Sequence, residues 1–311
     1  MTKEFAPDLS VKLGRLHLKN PVSVCSGTFG YGEEFSDFYN PSELGALVTK
    51  SVTLEERAGN PPPRIVETPS GILNSIGIQN VGVKRFLEEK VPFLQTLKTV
   101  RIVSVAGSTQ EEYVEVVKML EGTKGIDAVE INISCPNVKE GGMSFGVSAG
   151  SAAALTAAVR RATAMPLIVK LSPNVTDIVE IARAVVDAGA EILSLVNTFR
   201  AIAIDIKTRK PALGAVTGGL SGPAIKPLAL FHIFQIALKM DVPVIGMGGI
   251  MTGDDALEFV FAGAHAVAVG TANFIDPFTP LRIIEHLKEY CRLNNVLKFT
   301  SLIGEAKKQI G

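Results

Sequence analysis

The sequence predicts an α/β fold, a (β/α)8 barrel, on three observations. Eight short β-rich runs recur along the chain, segments of helical period separate them, and no Gly-x-Gly-x-x-Gly turn marks the nucleotide site of an open doubly wound sheet. The runs are Val22 to Ser26, Ala46 to Lys50, Arg101 to Ala106, Ala128 to Ser134, Leu167 to Leu171, Ile192 to Asn197, Val242 to Met247 and Ala266 to Gly270. Strand and helix in alternation make the strands parallel, and eight such units suit a barrel of about 250 residues. Residues 1–311 are therefore expected to form a single domain.

The elements follow in order. Val11 to Leu18 alternates around Gly14 and reads as a hairpin closing the bottom of the barrel. Amphipathic stretches at Glu111 to Leu120, Ala152 to Thr163, Ile178 to Ala188, Leu228 to Leu238 and Ala256 to Ala262 supply helices between strands. Gly189 and Gly263 suit the left-handed position that ends two of them. The long connections, Ser51 to Asn80, Cys135 to Gly150 and Thr198 to Pro227, follow strands 2, 4 and 6. All three belong to the C-terminal face, where the loops of such barrels build sites. Within the third, Ala201 to Ile206 and Ala212 to Val216 flank Lys207 to Pro211, which predicts a hairpin over that face.

Composition excludes several classes of function. Lys+Arg and Asp+Glu are equal at 31 each, so no net field draws the chain to nucleic acid or an anionic membrane. The residues after Met1 lack the apolar stretch of a signal peptide, and no later run is long and uncharged enough to cross a bilayer, so a cytoplasmic protein is expected. Cys25, Cys135 and Cys291 are odd in number and show no paired metal-ligand spacing, which argues against disulfides and metal clusters in this chain.

The strand ends are more polar than a packed core requires. Ser26, Lys50, Ser104, Asn132, Lys170, Asn197, Gly248-Gly249 and Gly270-Thr271 come from eight different strands and converge on one barrel mouth. Asn132-Ile133-Ser134-Cys135-Pro136-Asn137 leaves strand 4 with a lone thiol between two amides. Such a thiol serves as nucleophile, metal ligand or proton acceptor, and its alternative is an inert buried cysteine. None of His17, His232, His265 and His286 stands at a C-terminal strand end, which leaves Cys135 as the candidate acid/base. Glycines at 246, 248, 249 and 253 and at 270, with Gly218, Gly219 and Gly222, suit a phosphate held by backbone N–H groups. Glu130 shares the inward parity of Asn132, and a structural pair with Lys170 is expected.

These residues resemble the class 1 dihydroorotate dehydrogenases, and most of all their B-type catalytic subunit. The resemblance runs from about Val11 to the C-terminus. It rests on Asn60-Pro61-Pro62-Pro63-Arg64, Leu73-Asn74-Ser75-Ile76-Gly77-Ile78-Gln79-Asn80, the hexapeptide around Cys135, Lys170-Leu171-Ser172-Pro173-Asn174 and the glycines of strands 7 and 8. Asn137 to Gly142 and Ser172 to Asp177 resemble the B-type rather than the fumarate-using A-type.

The resemblance implies a TIM barrel holding one FMN. Its phosphate would lie at Gly248, Gly249, Gly270 and Thr271 with Gly222 nearby, and Lys170 beside the pyrimidine edge of the isoalloxazine. Ser26, Lys50, Ser51, Asn132 and Val196 would line the flavin, and Ser104 stands where relatives usually carry asparagine. Dihydroorotate would be held by the segment Asn74-Ser75-Ile76-Gly77-Ile78 with Asn132, Asn137, Asn197 and Thr198, its carboxylate near Lys50. Cys135 would remove the C5 proton while a hydride leaves C6 for flavin N5, and Gly141 and Gly142 suggest that its loop acts as a lid. The resemblance also implies a partner subunit carrying FAD and a [2Fe-2S] cluster, passing electrons to NAD in a heterotetramer built on a dimer of catalytic chains. Two alternatives are a dihydropyrimidine dehydrogenase-like flavoenzyme, which needs no carboxylate site, and a redox-free barrel isomerase or lyase holding a substrate phosphate.

Overall fold

A computed structural model describes residues 6–134 and 145–309. The chain opens with β1 (Val11–Leu13) and β2 (Leu16–Leu18), an antiparallel pair turning at Gly14. Its alternation buries Leu13 and Leu18, and Arg15 pairs with Glu191 just ahead of a barrel strand, so the hairpin covers the N-terminal end of the barrel as expected. Next come β3 (Val22–Val24) and β4 (Ala46–Val48), joined through two short 3-10 turns. An excursion then carries β5 (Ile65–Thr68) and β6 (Gly71–Asn74), followed by α1 (Gly82–Arg85) and α2 (Val91–Thr96).

Regular alternation follows through β7 (Val100–Val105), α3 (Gln110–Leu120), β8 (Ala128–Asn132), α4 (Ala149–Ala162), β9 (Leu167–Lys170), α5 (Ile178–Asp187) and β10 (Ile192–Leu195). A second excursion holds β11 (Phe199–Ala201), β12 (Ile204–Asp205), β13 (Lys210–Pro211) and β14 (Gly218–Ser221). The chain ends with α6 (Lys226–Lys239), β15 (Val244–Met247), α7 (Gly253–Ala262), β16 (Ala266–Val269), α8 (Ala272–Ile275) and α9 (Thr279–Leu293).

Eight parallel strands close into a barrel in the order β3, β4, β7, β8, β9, β10, β15, β16. These are the eight runs read from the sequence. They are fully buried along most of their length, being covered inside by one another and outside by helices. The helices present apolar residues three and four apart, as Ile178, Ile181, Ala182 and Val185 do on α5. Their starts are capped by side chains: Thr109 on α3, Asp177 on α5, and a Thr252–Asp255 capping box on α7. Gly189 and Gly263 follow α5 and α7 at φ of 108° and 121°, the conformation expected of them.

Two features differ from the sequence reading. Several strands end one or two residues earlier, where the ladder thins to single bonds at the rim; the Lys50 amide, for example, donates away from it to Gly30 O at 2.7 Å. The excursions are also not separate loops. β11, β14, β6 and β5 form one antiparallel sheet, so the segments after the second and sixth barrel strands are joined over the C-terminal face. The hairpin expected over 201–216 narrows to Ile204–Asp205 against Lys210–Pro211, and β11 pairs instead with Gly218–Ser221.

Candidate active site

A cavity of about 780 Å³ opens at the C-terminal mouth of the barrel, within the range of roughly 300–1,000 Å³ typical of small-molecule and cofactor sites. The strand ends contribute Ser26, Lys50, Ser51, Asn132, Lys170, Val196 and Asn197. The excursion sheet and its flanks contribute Asn74, Ser75, Ile76, Gly77, Ile78 and Thr198, and the last turns contribute Gly222, Gly248, Gly249, Gly270 and Thr271. These positions are scattered over 246 residues of sequence, from Ser26 to Thr271, and the barrel brings them to one space.

Amide side chains on one side of the cavity hold each other in place. Asn132 Oδ1 accepts from Ser134 Oγ at 2.8 Å and from Asn197 Nδ2 at 3.4 Å, while the Asn132 carbonyl accepts from Tyr113 OH at 2.7 Å. The Thr198 amide donates to Asn197 Oδ1 at 2.8 Å. Asn174 bridges to the excursion, donating to Thr198 O at 3.0 Å and accepting from the Arg200 amide at 2.9 Å. Opposite, Asn74 Nδ2 donates to Gly219 O at 3.3 Å across the β6–β14 pair. Ser75 Oγ is buried in this wall without a partner, a polar atom left for a ligand.

At the glycine turns the backbone itself forms the surface. Gly249 has φ of 81°, and a Cβ there would lie 2.9 Å from both Gly222 O and the Lys226 amide nitrogen. Gly248, at φ of 127°, would meet Ala229 Cβ at 2.8 Å. Thr271 Oγ1 donates to Ser221 Oγ at 2.9 Å, which ties the turn after β16 to the end of β14. Such a backbone cradle suits an anion with several oxygens.

The charges facing the cavity are of one sign. Lys50, Lys170 and Arg200 line it, and no Asp or Glu does among the described residues. Burial is the main cause that pushes the Lys50 pKa below the ordinary lysine value, with Glu34 opposing and Arg64 reinforcing. Lys170 is 5% exposed and donates to Ser26 Oγ over a long 3.4 Å. Burial pushes the Cys25 thiol up to about 11, so it stays neutral at physiological pH.

Two expectations change here, and a third falls outside the described residues. Ser104 does not reach the cavity: it is fully buried, and its hydroxyl shares a 2.9 Å hydrogen bond with Ser51 Oγ, so it supports a lining residue from behind. Glu130 is buried inside the barrel as its parity predicts, but its partner is Ser194 Oγ at 2.7 Å rather than Lys170. Cys135 and Asn137, with the proposed lid glycines Gly141 and Gly142, lie outside the described residues. Their chain does leave the cavity edge at Ser134, which lines it. No histidine lines the cavity among the described residues.

The sequence reading passed over other lining residues. Cys25, just after β3, and Met247, at the end of β15, face it, with the thiol 3.8 Å from Met247 Sδ, while Arg200 comes from β11 and Phe274 from α8. Cys25 precedes Ser26 and Met247 precedes Gly248, so proximity to the chosen residues was the available signal. Arg200 carried none, because its position depends on the unforeseen β11–β14 pairing.

A sequence model of the dihydroorotate dehydrogenase family matches residues 8–291. Among curated relatives, the chain is 55% identical over 298 residues to a protein of Geobacter sulfurreducens named dihydroorotate dehydrogenase B (NAD(+)), catalytic subunit, covering 96% of this chain and 98% of the relative. Proteins of the same name from Desulforamulus reducens and Geotalea daltonii are 54% and 52% identical, covering 96% and 97% of this chain and 98% and 99% of the relative.

Proposed function

The chain belongs to the dihydroorotate dehydrogenase family, and from that premise we propose that it oxidises (S)-dihydroorotate to orotate in de novo pyrimidine synthesis, as the catalytic subunit of a B-type, NAD-linked enzyme. The observation that carries this reading is the sign of the cavity: Lys50, Lys170 and Arg200 face it with no lining carboxylate among the described residues. Both dihydroorotate and FMN bring anionic groups to such a site.

The residues fit FMN. Gly222, Gly248, Gly249, Gly270 and Thr271 would hold its phosphate, and Lys170 with Ser26, Lys50, Ser51, Asn132 and Val196 would line its ring. When bound, FMN supplies the two-electron acceptor for the hydride that leaves C6 of dihydroorotate. Lys170 would offset the negative charge that reduction places at the pyrimidine edge. Asn74, Ser75, Ile76, Gly77, Ile78, Asn132, Asn137, Asn197 and Thr198 would orient the substrate, with Lys50 at its carboxylate. Cys135, as thiolate, would take the C5 proton as the C5–C6 double bond forms. Ser134, tied to Asn132 and lining the cavity, is the described residue that anchors its loop.

Electrons then leave through a second subunit. The chain has no dinucleotide fingerprint, and the relatives' name pairs NAD(+) with a catalytic subunit. FAD and a [2Fe-2S] cluster would reside in that partner, in a heterotetramer built on a catalytic dimer, with residues 1–311 acting as one FMN-binding domain. A cytoplasmic setting fits this assignment; among the described residues no helix is long and apolar enough to cross a membrane.

The decisive experiment is an anaerobic visible spectrum of the purified protein before and after L-dihydroorotate, with dihydrouracil as control. Bleaching of a bound flavin by dihydroorotate alone is expected. A response to dihydrouracil alone would move the protein to the dihydropyrimidine dehydrogenase class, and no flavin after FMN reconstitution would overturn the redox reading.

Lys50 makes a pH-dependent prediction. Its cationic form binds the carboxylate and is present below its pKa, so orotate affinity is lost as pH rises through that value. Because burial lowers the pKa, the loss should begin on the acid side of about 10.4, the ordinary lysine value. Orotate binding to the oxidised protein should show this weakening. Lys50→Gln should bind orotate at least about tenfold more weakly at neutral pH, equivalent to about 1.4 kcal/mol, and lose the dependence. A wild-type affinity that stays flat through the alkaline range would remove Lys50 as the carboxylate's partner.

A further inference from the structure

One buried carboxylate takes no part in the reaction as derived. Glu130 on β8 is 1% exposed, with its side chain inside the barrel and behind the cavity lining. Oε2 accepts the Ser194 hydroxyl at 2.7 Å, while Oε1 is buried without a partner. Removing a carboxylate from water this far is costly unless another charge compensates it.

The ladder register relates it to a buried lysine with which it forms no ion pair. Ser194 on β10 stands opposite Lys170 on β9, and Lys170 stands opposite Asn132 on β8. Glu130 itself stands opposite Ile168, two residues before Lys170, so its hydrogen bond to Ser194 spans β9 toward the rung that Lys170 occupies. Lys170 is also buried, and its ammonium is directed to Ser26 Oγ at the cavity rather than into an ion pair. Cys25, whose thiol stays neutral, is within electrostatic reach of both charges. The interior beneath the cavity therefore holds one cation facing the ligand and one anion behind it, both screened from solvent.

Resting on the FMN reading of the cavity, we infer that Glu130, held by Ser194 behind Lys170, sets the reduction potential of the flavin. Lys170 favours the reduced flavin, whose added charge lies at the pyrimidine edge, and Glu130 opposes it through the low-dielectric barrel interior. The balance keeps the bound flavin reducing enough to release its electrons to an acceptor. Neither residue changes covalently, and Glu130 touches neither substrate nor flavin; it acts on the flavin through its field in the barrel interior.

The test is Glu130→Gln, which removes the charge while keeping an acceptor for Ser194 and nearly the same volume. FMN stoichiometry and affinity establish that the site is intact, and the midpoint potential is measured by anaerobic equilibration with reference dyes. At a fixed dye poise the ratio of reduced to oxidised flavin should rise at least tenfold, equivalent to about 30 mV for a two-electron couple. A change below twofold with FMN bound would overturn the inference and leave Glu130 structural. Should Glu130→Gln fail to hold FMN, Lys170→Met is compared with the double variant Lys170→Met/Glu130→Gln, in which no unpaired charge of this pair remains. The same tenfold rise is expected there, and a change below twofold overturns the inference. Absence of FMN from the unmodified protein would overturn the proposed function together with this inference, whereas bound FMN with an unmoved potential overturns this inference alone.

Discussion

Replacing Cys135 with alanine should leave FMN bound and slow its reduction by dihydroorotate by about 10²- to 10⁴-fold, the range that a positioned general base contributes. Loss of the C5 proton and loss of the C6 hydride together make the double bond, so removing the base raises the barrel's barrier to both. The cavity offers no substitute: no histidine or carboxylate lines it among the described residues, and burial holds the Cys25 thiol at about 11, too high to supply thiolate. The effect belongs to the half-reaction and is read by anaerobic stopped-flow at the flavin absorbance. An unperturbed thiol has a pKa of about 8.5, and only the thiolate accepts a proton. Reduction by the unmodified protein should therefore speed up with pH through the mildly alkaline range, and the alanine variant should lose that rise. Reduction within threefold of wild type, with FMN bound, would take Cys135 out of the mechanism.

The barrel was legible because its signals are local. Runs such as Leu167 to Leu171 and Ala266 to Gly270 are too apolar and too short for anything but buried parallel strands when helical segments separate them. The site was legible because polar side chains at C-terminal strand ends are costly without a purpose, and the strand order then brings them together. The excursion sheet was not legible, and glycine is the physical reason. Gly218 and Gly219 carry no side chains to alternate, yet they form the first half of β14, where a Cβ on Gly218 would lie 2.6 Å from Asn74 O. The feature that permits the close pairing also removes its sequence signal. Glu130 shows the same limit in another way. Period two placed its side chain inward, but not its partner, because contacts across a closed barrel depend on the stagger between strands and bring Ser194 to it from two strands away.

Gly249→Ala should weaken FMN binding on the order of 100-fold, because two independent costs fall on the turn that forms the anion cradle. The first is conformational: φ of 81° is left-handed, which costs a residue with a side chain roughly 1–2 kcal/mol. The second is steric, since the new methyl would stand 2.9 Å from Gly222 O and the Lys226 amide nitrogen and 2.8 Å from Lys226 Cβ. Lys226 cannot easily withdraw, because its ammonium is held by Asp255 at 2.6 Å and Glu258 at 3.0 Å, and Asp255 also accepts the Met251 and Thr252 amides. Such crowding costs roughly 1–3 kcal/mol. The free protein relieves both by relaxing the turn, whereas FMN binding must restore it, so a total of about 3 kcal/mol appears in the affinity. Gly122→Ala separates this from a general glycine effect: Gly122 has φ of 72° with nothing within 4 Å of a new methyl, and lies away from the cavity. That variant should lose stability yet bind FMN as wild type does, read by fluorescence titration of the apoprotein. If Gly249→Ala binds FMN within threefold of wild type, the phosphate does not sit at the turn between β15 and α7.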